Sequence, residues 1–177
     1  DTFSSRGLGD VYKRQTVACP SDVNQGVDIG DCNAFVSIAS PVDMDNCGVV
    51  SVVNDYNGTN NATDTYPIGT TVVTFTVTDA AGLQTTCSFS VTITDSEAPD
   101  LNCPAPPAPI VADAACSGLV PDLVSLAIID DNCSPDAAIT VVQIPAANTS
   151  VGVGVTVVTL TATDESGNTT ECTTSIT

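Results

Sequence analysis

The fold class is decided by residues 73–93, which read VTFTVTDAAGLQTTCSFSVTI. Apolar residues alternate with threonine or serine on both sides of the Asp-Ala-Ala-Gly segment at positions 79–82. Two alternating runs around a glycine-containing turn are typical of a β-hairpin whose strands each bury one face. The segment therefore predicts two antiparallel strands joined by a turn at residues 79–82.

The hairpin pattern recurs about 85 residues further along the chain, in residues 158–176, and the cysteines recur with it. Successive cysteines are 13, 15 and 40 residues apart in the first four and 13, 17 and 39 apart in the second four. The eight are Cys19, Cys32, Cys47, Cys87, Cys103, Cys116, Cys133 and Cys172. Such a repeated spacing indicates a tandem duplication. We predict one domain over residues 16–98 and a second over 99–177, with the second ending inside its last strand.

Other short runs indicate strands at residues 32–38, 49–53 and 139–144, and no run of ten residues has helical periodicity. Several short strands in a unit of about 80 residues are typical of an immunoglobulin-like β-sandwich. The predicted fold class is therefore all-β, with two tandem immunoglobulin-like β-sandwich domains.

The first fifteen residues differ in character from the rest. All three basic residues, Arg6, Lys13 and Arg14, lie there, and residues 5–15 (SRGLGDVYKRQ) resemble the in-frame translation of a sequencing-library adaptor. We therefore predict that residues 1–15 are a non-native leader and exclude them from the fold. The remaining residues hold 19 of the 21 acidic side chains and no basic one.

The composition excludes several classes of function. Without histidine the chain has no Ser-His-Asp or Cys-His catalysis and no histidine-ligated metal. Three basic residues against 21 acidic ones exclude a nucleic-acid-binding surface. No apolar run is long enough to insert into a membrane. We therefore expect no enzyme activity, no nucleic-acid partner and no membrane insertion in this part of the protein.

The even number of cysteines in strand-rich units indicates disulfides that form in an oxidising compartment. A zinc site is disfavoured, because no CxxC pair occurs and structural zinc sites favour such close pairs. We expect the protein to be extracellular, either secreted or displayed at a cell surface. Spacing alone leaves three pairings open in each domain.

The landmarks of both repeats resemble the HYR domain, also called the hyalin repeat. The first repeat carries Cys-Pro at 19–20, Asp-Asn-Cys at 45–47, Pro-Ile-Gly-Thr-Thr-Val at 67–72, Thr-Cys-Ser-Phe at 86–89 and Asp-Ser-Glu-Ala-Pro at 95–99. The second repeat has Cys-Pro at 103–104 and Asp-Asn-Cys at 131–133, but it contains no aromatic residue. The resemblance covers about residues 16–177.

This resemblance implies an immunoglobulin-like extracellular module that is associated with adhesion and matrix assembly and has no catalytic residues. It also implies two disulfides in each domain. The implied pairs are Cys19–Cys87, Cys32–Cys47, Cys103–Cys172 and Cys116–Cys133. Because the second repeat lacks aromatic residues, we expect its core to be thinner and to depend more on its disulfides.

Carboxylates cluster where turns are expected, and calcium binds several hard oxygen ligands of this kind. The candidate calcium ligands are Asp45, Asp79, Asp95, Glu97, Asp100, Asp131 and Asp164. The group of Asp95, Glu97 and Asp100, between the two repeats, is the first candidate. The alternative is that these acids only form turns, in which aspartate accepts hydrogen bonds from nearby backbone amides. No other cofactor is expected.

The sequence therefore predicts a non-catalytic structural or adhesion module, a spacer within a larger repeat-containing surface or secreted protein. Its partners would be other repeats of the same chain and an extracellular protein or glycan. The alternative is a glycan- or protein-binding accessory module of a secreted enzyme, because loops at one end of such sandwiches often bind ligands. Tyr56 and Tyr66 would then contact the ligand.

Overall fold

The structure is a computed structural model that describes residues 15–44 and 48–177. The chain divides into two compact units. Unit 1 is Asp1–Gln25 with Asn33–Ile93, and unit 2 is Gly26–Cys32 with Thr94–Thr177. Within the described residues both units are all-β, apart from 3₁₀ turns in unit 2 at Val124–Leu126 and Asp136–Ala138. The described part of the chain contains no helix of the length and apolar character that crossing a bilayer requires.

The predicted leader, residues 1–15, lies outside the described residues except for Gln15. The Gln15 side chain donates a hydrogen bond to the Val77 carbonyl at 3.3 Å and accepts one from the Thr85 hydroxyl at 3.0 Å. Gln15 therefore contacts the two long strands of unit 1, although we predicted it as the last residue of the leader.

The described residues of unit 1 form eight strands. They are β1 (Thr16–Ala18), β2 (Val23–Gly26), β3 (Asn33–Val36), β4 (Val42–Met44), β5 (Val49–Asn54), β6 (Asp64–Pro67), β7 (Gly69–Asp79) and β8 (Gln84–Thr94). Strands β2, β8, β7 and β5 form one sheet in that order, and the pairs β3–β6 and β1–β4 form two-stranded antiparallel sheets. The strands expected at residues 32–38 and 49–53 are confirmed as β3 and β5.

The hairpin predicted from the alternating pattern is confirmed as β7 and β8. The two strands pair antiparallel, with Phe75 opposite Cys87. Gly82 lies in the turn with a φ of 81°, a left-handed conformation that is favourable for glycine. The alternation sends the apolar side chains inward, so that Val73, Phe75 and Val77 are fully buried while the threonines between them stay partly exposed.

The smaller sheet β3–β6 supplies a second buried face in unit 1. Ala34 on β3 lies opposite Tyr66 on β6, and both are fully buried. Val36 and Ile38 continue the same alternation and are also buried. Two sheets that each bury one apolar face make a β-sandwich, which is the predicted class.

Unit 2 is built from seven strands. They are β9 (Asp100–Asn102), β10 (Ser117–Leu119), β11 (Ile128–Asp130), β12 (Thr140–Ile144), β13 (Ser150–Gly152), β14 (Thr156–Thr163) and β15 (Thr169–Ile176). Strands β12, β14 and β15 form an antiparallel sheet in that order, and β9–β11 and β10–β13 pair separately. The predicted strand at residues 139–144 is confirmed as β12.

The core of unit 2 is aliphatic. Its buried cluster consists of Val120, Leu123, Val158, Leu160 and Ile176, and the half-buried Cys103 and Cys172 pack against it. No aromatic ring contributes to it, as the sequence led us to expect. Aromatic side chains bury the largest apolar areas, so unit 2 has less hydrophobic stabilisation available than a unit with aromatic residues in its core.

The units differ from the predicted domains in two places, because the loop Gly26–Cys32 and residues 94–98 both belong to unit 2. The Gly30 amide donates to both oxygens of Glu97, at 3.0 and 3.2 Å. The Asp31 carbonyl accepts a hydrogen bond of 2.9 Å from the side chain of Asn132. These contacts join residues about 67 and 101 positions apart, which a boundary drawn along the sequence does not anticipate.

Two of the implied disulfides are present, one in each unit. Cys19 bonds Cys87 and Cys103 bonds Cys172, with sequence separations of 68 and 69 residues. In the chain-entropy description, a disulfide stabilises a protein by restricting its unfolded state, and loops of nearly equal length contribute nearly equally. The two bonds therefore act as matched constraints on two different cores.

Of the other two implied disulfides, Cys116–Cys133 is not formed, and Cys32–Cys47 involves a residue outside the described part of the chain. Cys32, Cys116 and Cys133 are thiols in the structure, and Cys47, the implied partner of Cys32, lies outside the described residues. The expected Cys116–Cys133 bond is absent because the two residues occupy different surroundings. Cys116 is exposed in a turn closed by its own amide on the Asp113 carbonyl at 3.0 Å, whereas the Cys133 thiol donates to the Asp31 carbonyl at 3.9 Å, next to Cys32.

Candidate metal centre

Three of the seven candidate calcium ligands come together in unit 2. Asp95, Asp131 and Asp164 each follow the last residue of a strand, β8, β11 and β14 respectively. One carboxylate oxygen from each lies within 4.8 Å of the other two. The site is largely shielded from solvent, since Asp95 and Asp164 are only 8% and 6% exposed.

Backbone amides orient two of these carboxylates. Oδ1 of Asp95 accepts a hydrogen bond from the Glu97 amide at 3.1 Å. Oδ1 of Asp131 accepts from the amides of Cys133 and Ser134, at 2.9 and 2.6 Å. This is the turn geometry that aspartate favours after a strand. It fixes one oxygen of each carboxylate and leaves the other oxygen for a second role.

The third carboxylate, Asp164, is held by Asn168. The Asn168 amide donates to Oδ1 and its side chain donates to Oδ2, both at 2.8 Å. Burial raises the pKa of Asp164, but the hydrogen bonds from Asn168, Gly167 and Ser166 together outweigh it, so the pKa is lowered below its ordinary value. Asn168 was not predicted as a site residue, and its only sequence signal is its place directly after the Asp-x-x-Gly turn.

Two oxygens of this site are buried and have no hydrogen-bond donor. They are Oδ2 of Asp95 and Oδ2 of Asp131. A buried carboxylate oxygen without a partner is costly, and a buried charge is normally paired or bound to a metal. No basic side chain of the described residues can serve here, because the sequence contains no Lys, Arg or His after residue 14. The cluster therefore has the donor chemistry of a hard divalent cation site, which several oxygen ligands satisfy.

Glu97 and Asp100, also predicted as calcium ligands, lie outside this cluster. The Glu97 carboxylate is occupied by the Gly30 amide, and Asp100 pairs with Asp130 in the β9–β11 ladder. Both residues line an open polar cleft of about 650 Å³ in unit 2, together with Asp131. Of the group first proposed between the repeats, only Asp95 belongs to the three-carboxylate cluster.

The remaining candidates belong to unit 1. Asp79 occupies the position equivalent to Asp164, and its Oδ1 accepts hydrogen bonds from the amides of Ala81 and Leu83 at 2.7 and 2.8 Å. Its Oδ2 is also buried without a donor. Asp45, the equivalent of Asp131, lies outside the described residues. The turn that presents Asp164 is therefore repeated in unit 1.

Of the two tyrosines proposed as ligand contacts, Tyr66 is buried in unit 1 and Tyr56 is half-buried beside it. Their rings stack with centroids 4.3 Å apart, and Tyr66 is 0% exposed. The Tyr66 hydroxyl donates to the Ala62 carbonyl at 2.6 Å, and the Tyr56 hydroxyl donates to the Thr65 carbonyl at 2.7 Å. Burial, followed by the neighbouring Tyr56 and Asp64, raises the pKa of Tyr66 to about 12. Tyr66 cannot contact a ligand, which corrects that part of the prediction.

We expect Tyr66→Phe to destabilise unit 1 by about 1–2 kcal/mol, because it leaves the buried Ala62 carbonyl without its donor. Urea unfolding followed by far-UV circular dichroism measures this change. Tyr56→Phe is the matched control, since its hydroxyl bond lies at the surface and its loss should cost little. Equal effects of the two substitutions would contradict the structural role assigned to Tyr66.

A comparison with known protein families shows that residues 14–93 match the HYR domain. The matched residues include the Cys-Pro, Asp-Asn-Cys and Asp-x-x-Gly segments at 19–20, 45–47 and 79–82. They also include both cysteines of the Cys19–Cys87 disulfide.

Hyalin from Strongylocentrotus purpuratus is 32% identical to this chain over 156 residues, which is 86% of the chain and 12% of hyalin. An alignment of 156 residues is longer than the HYR match and therefore extends beyond it along the chain. The chain spans only a small part of hyalin's length, so the likeness applies to the module rather than to the whole protein.

Two solved structures match this chain at lower sequence identity. The fibronectin(III)-like modules of Clostridium thermocellum CbhA are 13% identical, with 92% of this chain and 93% of that chain covered and a TM-score of 0.34. The extracellular cadherin domains 1–4 of protocadherin gamma B7 are 13% identical, with 93% and 49% covered and a TM-score of 0.38.

Proposed function

We propose that this chain is a non-catalytic, calcium-binding module of an extracellular adhesion protein. The HYR match and the likeness to hyalin support an adhesion-type module. The two disulfides support an oxidising, extracellular location. The absence of histidine from the sequence supports a role without acid–base catalysis.

The observation that carries the calcium proposal is the pair of buried, donor-free oxygens on Asp95 and Asp131 beside the carboxylate of Asp164. Calcium takes six to eight oxygen ligands in flexible geometry, so three carboxylates leave room for backbone carbonyls and water. A bound cation would give the two unpartnered oxygens an interaction that the protein alone does not supply. It would also relieve the repulsion among three acidic groups in a chain with a formal charge of −18.

In this proposal the module acts as a spacer, and calcium stabilises the ends of the strands that carry its ligands. Each ligand is the residue immediately after a strand, so a cation holding all three would fix three chain segments at once. Such a module would display or separate other parts of a larger protein, with further repeats, extracellular proteins or glycans as its partners.

Calcium binding is tested by titrating calcium chloride into chelator-treated protein and following the heat. We expect saturable binding with a dissociation constant of about 10⁻⁴–10⁻³ M, the range of extracellular calcium modules. Asp95→Asn and Asp131→Asn should each abolish it, because both remove a buried ligand oxygen.

Asp113→Asn is the matched control for this titration. It removes the same charge from an exposed turn of unit 2, where Asp113 accepts from Ser117 and Ala115. Binding should be retained in this variant. An isotherm without binding, or equal binding in all three variants, would overturn the calcium proposal.

A further inference from the structure

Two of the described cysteines that form no disulfide, Cys32 and Cys133, belong to segments of unit 2 that contact each other. The Asp31 carbonyl accepts hydrogen bonds from the Asn132 side chain at 2.9 Å and from the Cys133 thiol at 3.9 Å. These contacts place the end of the loop Gly26–Cys32 against the Asp-Asn-Cys segment of the second repeat. They join residues 101 and 102 positions apart in the sequence.

Cys32 directly follows Asp31, whose carbonyl accepts the hydrogen bond of the Cys133 thiol, so this contact brings the two cysteines to the same place. Both side chains are half-buried, so a reagent of modest size can reach them. Ser134, next to Cys133, is buried, and its hydroxyl accepts a hydrogen bond from the Glu165 amide at 3.3 Å. The segment that carries Cys133 is therefore held in place beside residues 31 and 32.

The remaining described thiol, Cys116, has different surroundings. Cys116 is exposed, has a φ of 58°, and lies in a turn whose amides are satisfied by Asp113. Among the described residues, no hydrogen bond joins Cys116 to Cys133. Proximity thus favours Cys32, and not Cys116, as the partner of Cys133.

We propose that Cys32 and Cys133 form a third disulfide when the protein is oxidised. The oxidant is a disulfide, either of a small thiol such as glutathione or of a protein oxidoreductase. One cysteine thiolate attacks the oxidant to give a mixed disulfide and releases one thiol, and the second cysteine then displaces the other. Two S–H bonds and the oxidant S–S bond break, one new S–S bond forms, and both electrons and both protons pass to the released thiols.

The bond would connect a cysteine of the first sequence repeat with the Asp-Asn-Cys cysteine of the second. It also makes the loop Gly26–Cys32 a covalently attached part of unit 2. The pairing depends only on the contacts at Asp31 and does not require calcium.

Peptide mapping of the oxidised full-length chain tests this pairing. Free thiols are alkylated at acidic pH and the chain is digested with pepsin, because acid prevents disulfide exchange and trypsin finds no Lys or Arg after residue 14. We expect a peptide pair that contains Cys32 and Cys133 and separates on reduction. The same pair should persist in Cys116→Ala, and in Cys32→Ala the Cys133 peptide should be alkylated instead.

Recovery of a Cys116–Cys133 or Cys32–Cys47 peptide pair from the oxidised wild-type chain would overturn the proposal. Alkylation of both Cys32 and Cys133 in protein held with excess glutathione disulfide would also overturn it. The wild-type map is decisive by itself, so the test does not depend on whether a variant folds.

Discussion

Replacing both cysteines of the second disulfide, as Cys103→Ala with Cys172→Ala, is expected to unfold unit 2 while unit 1 remains folded. The bond closes a separation of 69 residues, and its removal costs about 4 kcal/mol in the chain-entropy description. A core of this size rarely contributes more than about 3–5 kcal/mol of net stability. Since the buried cluster of unit 2 is entirely aliphatic, little stability remains once the bond is lost.

The first disulfide provides the matched comparison. Cys19→Ala with Cys87→Ala removes a constraint of almost equal length, 68 residues, from a unit whose core contains Tyr66, Phe75 and Phe89. The loss of stability should be similar, but unit 1 should stay folded because its aromatic side chains bury more apolar area.

Hydrogen–deuterium exchange with mass spectrometry separates the two units, because peptides from β14 and β15 report on unit 2 and peptides from β7 and β8 report mainly on unit 1. In the unit 2 variant, exchange in β14 and β15 should accelerate by about a thousandfold, the equivalent of about 4 kcal/mol. Unchanged protection of β14 and β15 would show that the aliphatic core does not depend on its disulfide.

Asp131→Asn is expected to stabilise the calcium-free protein and to remove its response to calcium. The asparagine carbonyl oxygen can still accept from the amides of Cys133 and Ser134. Its side-chain amino group then stands where Oδ2 had no donor and can donate to the neighbouring carboxylates. Relief of a buried, unsatisfied acceptor is worth about 1–3 kcal/mol. A side chain that is optimal for stability would therefore be the wrong one for binding calcium.

Local features were the ones that the sequence predicted best. The alternation of apolar residues with threonine placed β7, β8 and their turn, because the period of two and the glycine at position 82 act within a few residues. The disulfide pairs Cys19–Cys87 and Cys103–Cys172 came from the family resemblance and not from spacing, which left three pairings open in each domain.

The site was only partly predictable, because its members meet through the tertiary fold. Asp95, Asp131 and Asp164 were all candidates, yet so were Glu97 and Asp100, and nothing local distinguishes an acid that joins the cluster from one that accepts a loop amide. Aspartate after a strand satisfies the same turn requirement in every case. The convergence of three strand ends, 33 to 69 residues apart, is set by sheet packing.

Two other assignments required the structure for similar reasons. Tyr66 stands beside Pro67 and looks like a loop residue in the sequence, but its ring is buried and its hydroxyl reaches the Ala62 carbonyl. Cys32 and Cys133 are far apart in the sequence and come together because the loop Gly26–Cys32 leaves its own repeat. Sequence patterns describe a residue's neighbours in the chain, and both of these cases depend on neighbours in space.

Thermal melting of the wild type and Asp131→Asn, each in about 10 mM calcium and in chelator, tests the calcium site most directly. This concentration is about 10 to 100 times the expected dissociation constant, so calcium stabilises by about 1.4–2.7 kcal/mol, a shift of roughly 5–20 °C for a unit of this size. We predict that shift for the wild type and none for the variant, with the variant melting higher than the wild type in chelator. Equal calcium shifts in the two proteins, or a variant that melts lower in chelator, would contradict a calcium site at Asp95, Asp131 and Asp164.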